Sequence, residues 1–183
     1  MRIISGSHKG RRIQAPKNLP VRPTTDMAKE ALFNILRSKI NIPRSSVLEL
    51  FAGSGNMSYE MLSRGAASVH AVDIHHACIA FIKKTATTLD FEITTTKSDV
   101  FEFLKKHNGS YDLIFADPPY AFEEDEFLQI PNYVFERNLL NPGGMLIIEH
   151  SKHTDLSAHN HFDNARRYGG TVFTFFLMAD EEE

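Results

Sequence analysis

Four consecutive residues, Asp117-Pro118-Pro119-Tyr120, follow the apolar run Leu113-Ile114-Phe115-Ala116 and carry the most chemical information in the chain. A short apolar run closed by two prolines reads as a buried strand that stops abruptly, because proline has a fixed φ and no N–H to give to a sheet. The residues after the stop form a loop. A carboxylate and backbone carbonyls there accept hydrogen bonds, and an aromatic ring stacks on a flat group, so the loop suits the exocyclic amine of a planar base. Taken alone, the same four residues also describe an ordinary strand-end turn with an unconnected tyrosine.

A second constellation lies upstream, in Ser46-Val47-Leu48-Glu49-Leu50-Phe51-Ala52-Gly53-Ser54-Gly55-Asn56-Met57. An apolar strand runs into two glycines, which let the backbone turn tightly and approach a ligand, and then into a helix whose first N–H groups are free. Such a turn fits a nucleotide-like ligand. A dinucleotide-binding turn carries a third glycine where this chain has Ser58, which argues against NAD and FAD. Asp73 closes a second strand, Val69-His70-Ala71-Val72-Asp73, and stands 20 residues after Gly53, the separation at which an acid meets a ribose hydroxyl pair. Glu49 is a charged residue in an otherwise apolar strand and needs a partner, for which a ligand ammonium is the natural candidate.

The chain has 183 residues, 42% of them hydrophobic, enough for one well-buried core. No apolar stretch is long enough to cross a bilayer and no apolar segment follows the first charges, so a cytoplasmic protein is expected. The single cysteine, Cys78, excludes an intramolecular disulfide and a thiolate zinc cluster. Nine histidines show neither His-x-x-x-His nor His-Glu-x-x-His spacing, so no metal site is expected. The net charge of −3 hides a segregation: Arg2, Lys9, Arg11, Arg12, Lys17 and Arg22 precede Thr25 with no acid among them, whereas Asp180-Glu181-Glu182-Glu183 ends the chain. A basic cluster beside a catalytic unit supplies sequence-independent contact with nucleic-acid phosphate, and Lys9, Arg11, Arg12 and Arg22 are its candidates. The acidic run reads as a frayed, solvated end.

The elements that position these residues divide at about Asn41-Ile42-Pro43-Arg44. In residues 1–43, Arg2 to Gly6 and Arg12 to Ala15 suit a small hairpin around Lys9-Gly10. Thr25 or Asp26 then caps an appended helix with Ala28, Ala31, Leu32, Ile35 and Leu36 at helical spacing. In residues 44–183, strands at Ser46 to Phe51, Ser68 to Asp73, Glu92 to Lys97, Asp112 to Ala116 and Met145 to Glu149 alternate with helices. The helices are expected at Asn56 to Arg64, His76 to Leu89, Val100 to Lys106 and Glu124 to Leu140. Ala165 to Tyr168 and Thr171 to Met178, separated by Gly169-Gly170, read as a closing β-hairpin. In an open α/β sheet the ligand lies beyond the carboxyl ends of the strands, which gathers Glu49, Gly53, Asp73, Asp99 and Asp117 on one edge. Asp99 suits either a helix N-cap or an acceptor for an adenine amine.

The Asp117-Pro118-Pro119-Tyr120 sequence resembles the motif of the amino-methyltransferases, which holds an amine beside the methyl of S-adenosylmethionine. The resemblance extends over nearly the whole chain. Arg2-Ile3-Ile4-Ser5-Gly6 with Lys9-Gly10-Arg11, then Arg22-Pro23-Thr24-Thr25-Asp26 leading to Glu30-Ala31-Leu32-Phe33-Asn34-Ile35-Leu36, are similar to the bacterial RsmD family. Phe51-Ala52-Gly53-Ser54-Gly55 and Leu62-Ser63-Arg64-Gly65-Ala66 continue the likeness. It implies an α/β, Rossmann-like fold, a seven-stranded mostly parallel sheet with a C-terminal antiparallel hairpin. It further implies methylation of the N2 amine of guanine 966 in 16S ribosomal RNA, with S-adenosylmethionine as donor. The cofactor residues would be Glu49, Phe51, Ala52, Gly53, Ser54, Gly55, Asn56, Asp73, Ile74, Asp99 and Val100. The catalytic loop would be Asp117, Pro118, Pro119 and Tyr120, with Tyr120 stacked on the base and the basic arm, residues 1–43, on RNA. The partner would be small-subunit ribosomal RNA or a 30S assembly intermediate, and nothing indicates an oligomeric state. Two positions depart from the family pattern: Met27 stands for an arginine and Ser58 for a glycine.

Three other functions compete. A DNA adenine-N6 methyltransferase shares the motif but needs a target-recognition domain for which 183 residues leave little room. A protein-glutamine methyltransferase more often begins its motif with asparagine. A non-catalytic RNA-binding module would have no use for intact Glu49, Asp73 and Asp117.

Overall fold

The computed structural model describes residues 1–22 and 24–178; the acidic run Asp180-Glu181-Glu182-Glu183 lies outside the described residues. Helix α1 (Asp26–Lys39) begins at Thr25, whose side chain accepts the Ala28 N–H, with Asp26 in its first turn and Arg37 and Lys39 in its last, in accord with the helix dipole. A 3-10 turn at Ile42–Arg44 leads into β1 (Ser46–Leu50). The chain then alternates through α2 (Asn56–Ser63), β2 (Ser68–Asp73), α3 (His76–Leu89), β3 (Thr94–Lys97), α4 (Val100–Lys106), β4 (Tyr111–Ala116) and α5 (Glu124–Glu136). It ends with β5 (Leu140–Ser151), β6 (Phe162–Tyr168) and β7 (Thr171–Leu177).

The seven strands form one sheet in the order β3-β2-β1-β4-β5-β7-β6. β1 to β5 are parallel, while β7 runs antiparallel to both β5 and β6. Alternation along each central strand feeds two cores. Val47, Leu113, Phe115, Met145 and Ile147 face one side, where they meet α1 and α2, and Leu48, Leu50, Ile114, Ala116, Leu146 and Ile148 face the other, where they meet α4 and α5. The strand order reverses between β1 and β4, and that gap is where open α/β sheets bind ligands.

The expected appendage shares its core with the rest of the protein. Ala28, Leu32, Phe33 and Leu36 of α1 are buried against Val47, Met57, Met61, Phe115 and Phe173. The N-terminal hairpin is reduced to a single bridge, Arg2 to Arg12, flanked by the Ile3 N–H to Arg11 and Gly10 N–H to Ile3 carbonyl bonds. Its polar, glycine-containing turn has too few paired residues to extend two strands. Instead the arm is held by a buried ionic cluster. Lys29, 1% exposed, places Nζ 3.1 Å from Glu60 Oε1 and 2.9 Å from Asn56 Oδ1. Glu60 also accepts the N–H groups of Ile4 and Ser5 and pairs with Arg64.

Several boundaries differ from expectation by one to a few residues, and the largest shifts lie around α5 and β5. α5 stops at Glu136 rather than Leu140, because Asn138 turns left-handed at φ 54° and Leu140 already pairs with Tyr111. Asn141-Pro142-Gly143-Gly144 is accordingly an irregularity within β5, where pairing jumps from Tyr111–Leu140 to Leu113–Met145. Met27 is 66% exposed on α1, so the arginine it replaces is a surface position.

Candidate active site

A cavity of about 920 Å³ opens at the carboxyl ends of β1, β2 and β4. Its wall includes Glu49, Phe51, Ala52, Gly53, Ser54, Asn56, Asp73, Ile74, Asp99, Val100, Asp117, Pro118 and Pro119. Four separate stretches of sequence, at 49–56, 73–74, 99–100 and 117–119, thus converge on one space. Gly55, Tyr120, Lys9 and Arg11 do not line it, whereas Arg12 and Arg22 do.

The loop after β1 is shaped by unusual backbone. Phe51 adopts φ 54°, a costly conformation for a bulky residue. Gly53 and Gly55 follow at φ 56° and 82°, and a Cβ on Gly55 would lie 2.8 Å from the Tyr59 ring. Gly55 therefore serves the loop from behind: it N-caps α2 in the left-handed conformation and lets that helix pack close. Asp73 braces the same loop. Its Oδ2 accepts the Gly53 N–H at 2.9 Å and its Oδ1 the His75 N–H at 2.8 Å, which fixes the carboxylate at the cavity wall. With His75 and Cys78 it also brings three metal-type ligand atoms within 4.8 Å of one another.

Glu49 has a partner inside the protein and also lines the cavity. Ser58 donates its N–H and its hydroxyl to Glu49 Oε2, so the serine that replaces a family glycine ties α2 to β1. Burial raises the Glu49 pKa to about 7, against the pull of the Ser58 bonds. Asp99 takes its N-cap role on α4, accepting the Glu102 N–H at 3.0 Å, while also lining the cavity. Phe51, Phe101 and Phe122 form an aromatic group nearby, with Phe51 edge-on to Phe122 at 5.7 Å and Phe101 stacked on Phe122 at 6.0 Å. Phe51 and Phe122 reach the cavity wall as flat apolar surface for a ring.

Asp117 sits where β4 ends beside β1, its N–H directed to the Leu50 carbonyl at 3.4 Å. Its pKa is raised, first by burial and then by the nearby Glu149, with the Arg22 guanidinium opposing both. Glu149 is buried on β5, accepts the Thr24 hydroxyl at 3.0 Å, and is likewise raised by burial. Tyr120, 39% exposed, lies under Arg22. Glu149, Thr24 and Phe122 were not expected at the site. An acid inside the apolar run Met145-Leu146-Ile147-Ile148-Glu149 is the same signal that singles out Glu49, and it identifies Glu149 equally well.

Comparison with known proteins agrees with this geometry. The family model described as conserved hypothetical protein 95 matches residues 1–177. The ribosomal RNA small subunit methyltransferase D of Buchnera aphidicola is 34% identical over 150 residues, covering 81% of this chain and 75% of that protein. The protein of the same name in Haemophilus influenzae is 33% identical over 159 residues, covering 83% and 79%. Among solved structures, the candidate methyltransferase yhhF of Escherichia coli superposes with a TM-score of 0.83 at 26% identity, over 96% of each chain. The chain belongs to the RsmD family of ribosomal RNA small-subunit methyltransferases.

Proposed function

We propose that this enzyme methylates the exocyclic N2 amine of a guanine in 16S ribosomal RNA, the guanine 966 that the family implies, with S-adenosylmethionine as donor. One observation carries the reading: Asp117-Pro118-Pro119 borders the same cavity as Gly53 and Asp73, so a nucleoside-binding wall and an amine-accepting loop share one space. The cavity is large enough for a drug-sized ligand and carries flat apolar surface, an acid suited to a ribose and a close-approach glycine turn, which together fit the cofactor. Glu49, Phe51, Ala52, Gly53, Ser54, Asn56, Asp73, Ile74, Asp99 and Val100 line the cavity and would hold the cofactor, with Gly55 shaping the loop from behind, and when bound the cofactor supplies a methyl group on a positively charged sulfur.

The work left to the protein is positioning. Guanine N2 is a weak nucleophile because its lone pair is delocalised into the ring, so the amine has to be oriented and its lone pair localised as the bond forms. Asp117 and the Pro118 carbonyl accept the amine N–H groups, and Tyr120 stacks on the base once the base has left its helix or loop. The proton departs after transfer, when the amine is cationic and acidic, so no strong general base is required. The substrate is small-subunit RNA or a 30S assembly intermediate in the cytoplasm, with Lys9, Arg11 and Arg12 on its phosphates. Among the described residues no helix is long and apolar enough to cross a membrane.

The test is to map methylated guanines in the ribosomal RNA of a strain lacking the gene, and to restore the methyl with purified protein and labelled cofactor. Loss and recovery of a single N2-methylguanine is expected. Unchanged RNA methylation, or label entering DNA or protein instead, would remove this reading.

A further inference from the structure

The guanidinium of Arg22 lies over the Tyr120 ring, 3.0 Å from its centroid, with Nη2 3.5 Å from Asp117 Oδ1. These are the two groups assigned above to the base: a face to stack on and a carboxylate to accept N–H bonds. A guanidinium is planar and presents only donors. The N1–C2–N2 edge of guanine has the same chemistry, since N1–H and the N2 amine flank one carbon in a planar guanidine unit. Adenine and the pyrimidines lack that unit.

We propose that Arg22 occupies the target-base position in the free enzyme and is exchanged for the guanidine-like edge of guanine, which makes it a specificity-determining residue for this reaction. The inference rests on the functional reading above and extends it to how the base is chosen. Three features make the exchange workable. The Arg22 side chain is 43% exposed and its contact with Asp117 is long, so the pair is weak and easily broken. The segment that carries it is anchored two residues on, where Thr24 bonds the buried Glu149. The guanidinium also offsets the crowding of the two acids, Asp117 and Glu149, and an incoming base with several N–H donors replaces that compensation whereas one without them does not.

The experiment titrates guanosine monophosphate and adenosine monophosphate into wild type and Arg22→Ala by calorimetry, with S-adenosylhomocysteine saturating the cofactor cavity. Removing the occupant should tighten guanosine monophosphate binding by about three- to tenfold, the scale of an exposed cation–π contact plus a weak ion pair. Adenosine monophosphate should not tighten in parallel. Equal or weaker guanosine monophosphate binding by the variant would overturn the exchange, because a residue that simply helps to hold the substrate loses affinity when deleted. Equal tightening of both nucleotides would overturn the guanidine match. Should the variant not fold, nitrogen-labelled arginine in wild type provides the readout: the Arg22 Nε–H signal should move on adding guanosine monophosphate, and a static signal rejects the proposal. Wild-type methyl transfer into ribosomal RNA is measured alongside. Its absence would count against the functional reading, while the nucleotide titrations judge the exchange separately.

Discussion

Ser58 donates its backbone N–H, at 2.9 Å, and its hydroxyl to one oxygen of Glu49, a carboxylate that is only 4% exposed. The two residues join the end of β1 to the first turn of α2, across the turn that shapes the cavity wall. Glu49 has its folded pKa raised to about 7 from 4.5 by burial. A raised carboxyl pKa means that the folded state keeps a proton the unfolded chain has already released. Its contribution to stability is fully present below the unfolded value and is lost as pH rises through the folded one.

Glu49→Gln should therefore stabilise the protein above neutral pH, by on the order of 3 kcal/mol, and change it little in acid, below the unfolded carboxyl pKa. Ser58→Gly should do the reverse, costing about 1.5–3 kcal/mol where the carboxylate is ionised, since a bond to a charged group is removed. Thermal unfolding of both variants across this range checks the two signs. A difference from wild type that does not vary with pH would place the proton elsewhere.

Asp117→Ala should lower the methyl-transfer rate by about a hundred- to a thousandfold, the scale of removing one preorganised hydrogen-bonding partner of the reacting group. Cofactor affinity, read by calorimetry, should change far less, because Asp117 is assigned to the amine.

The rate of the wild type should fall in acid along a limb set above the ordinary carboxylate range, because burial and Glu149 both raise Asp117. Glu149→Gln removes the like charge, so the Asp117 pKa drops and the limb moves to lower pH. Rate–pH profiles of the two proteins test the direction, and an unmoved limb would mean that another group controls it.

Lys29→Met should cost about 3–5 kcal/mol, the penalty for removing one partner of a buried ion pair, here the Lys29–Glu60 contact at 3.1 Å. Because Glu60 also holds the Ile4 and Ser5 amides, their hydrogen exchange should quicken along with the fall in melting temperature.

Changing Lys9, Arg11 and Arg12 together to alanine should weaken RNA binding and flatten its salt dependence, by roughly one unit of slope for each phosphate that the arm ceases to neutralise. RNA affinity measured against salt for the triple variant and wild type decides it. An identical slope would leave these exposed residues as a solvated rim.

The elements and most residues of the cavity wall were legible in the sequence because their signals are local. The limits of β2, α3 and α4 coincide with the stretches marked by apolar spacing, by Asp99 as a cap and by the strand-ending acids. Gly53, Asp73 and Asp117 could be set on one edge without coordinates, because parallel βαβ units place successive strand ends on the same side. Where an element's end depends on a partner, local spacing misleads: α5 yields to β5 at Leu140 because Tyr111 pairs there. Tertiary structure alone decided the surroundings of Asp117. Thr24 and Glu149 are 125 residues apart and Arg22 and Asp117 are 95 apart, and only the β1–β4–β5 order and the docking of the N-terminal arm bring them together. Arg22 illustrates the difference. In the sequence it is one more charge in a basic arm, whereas in the fold its guanidinium lies on Tyr120 beside a partly desolvated carboxylate, because a charge takes its role from what surrounds it.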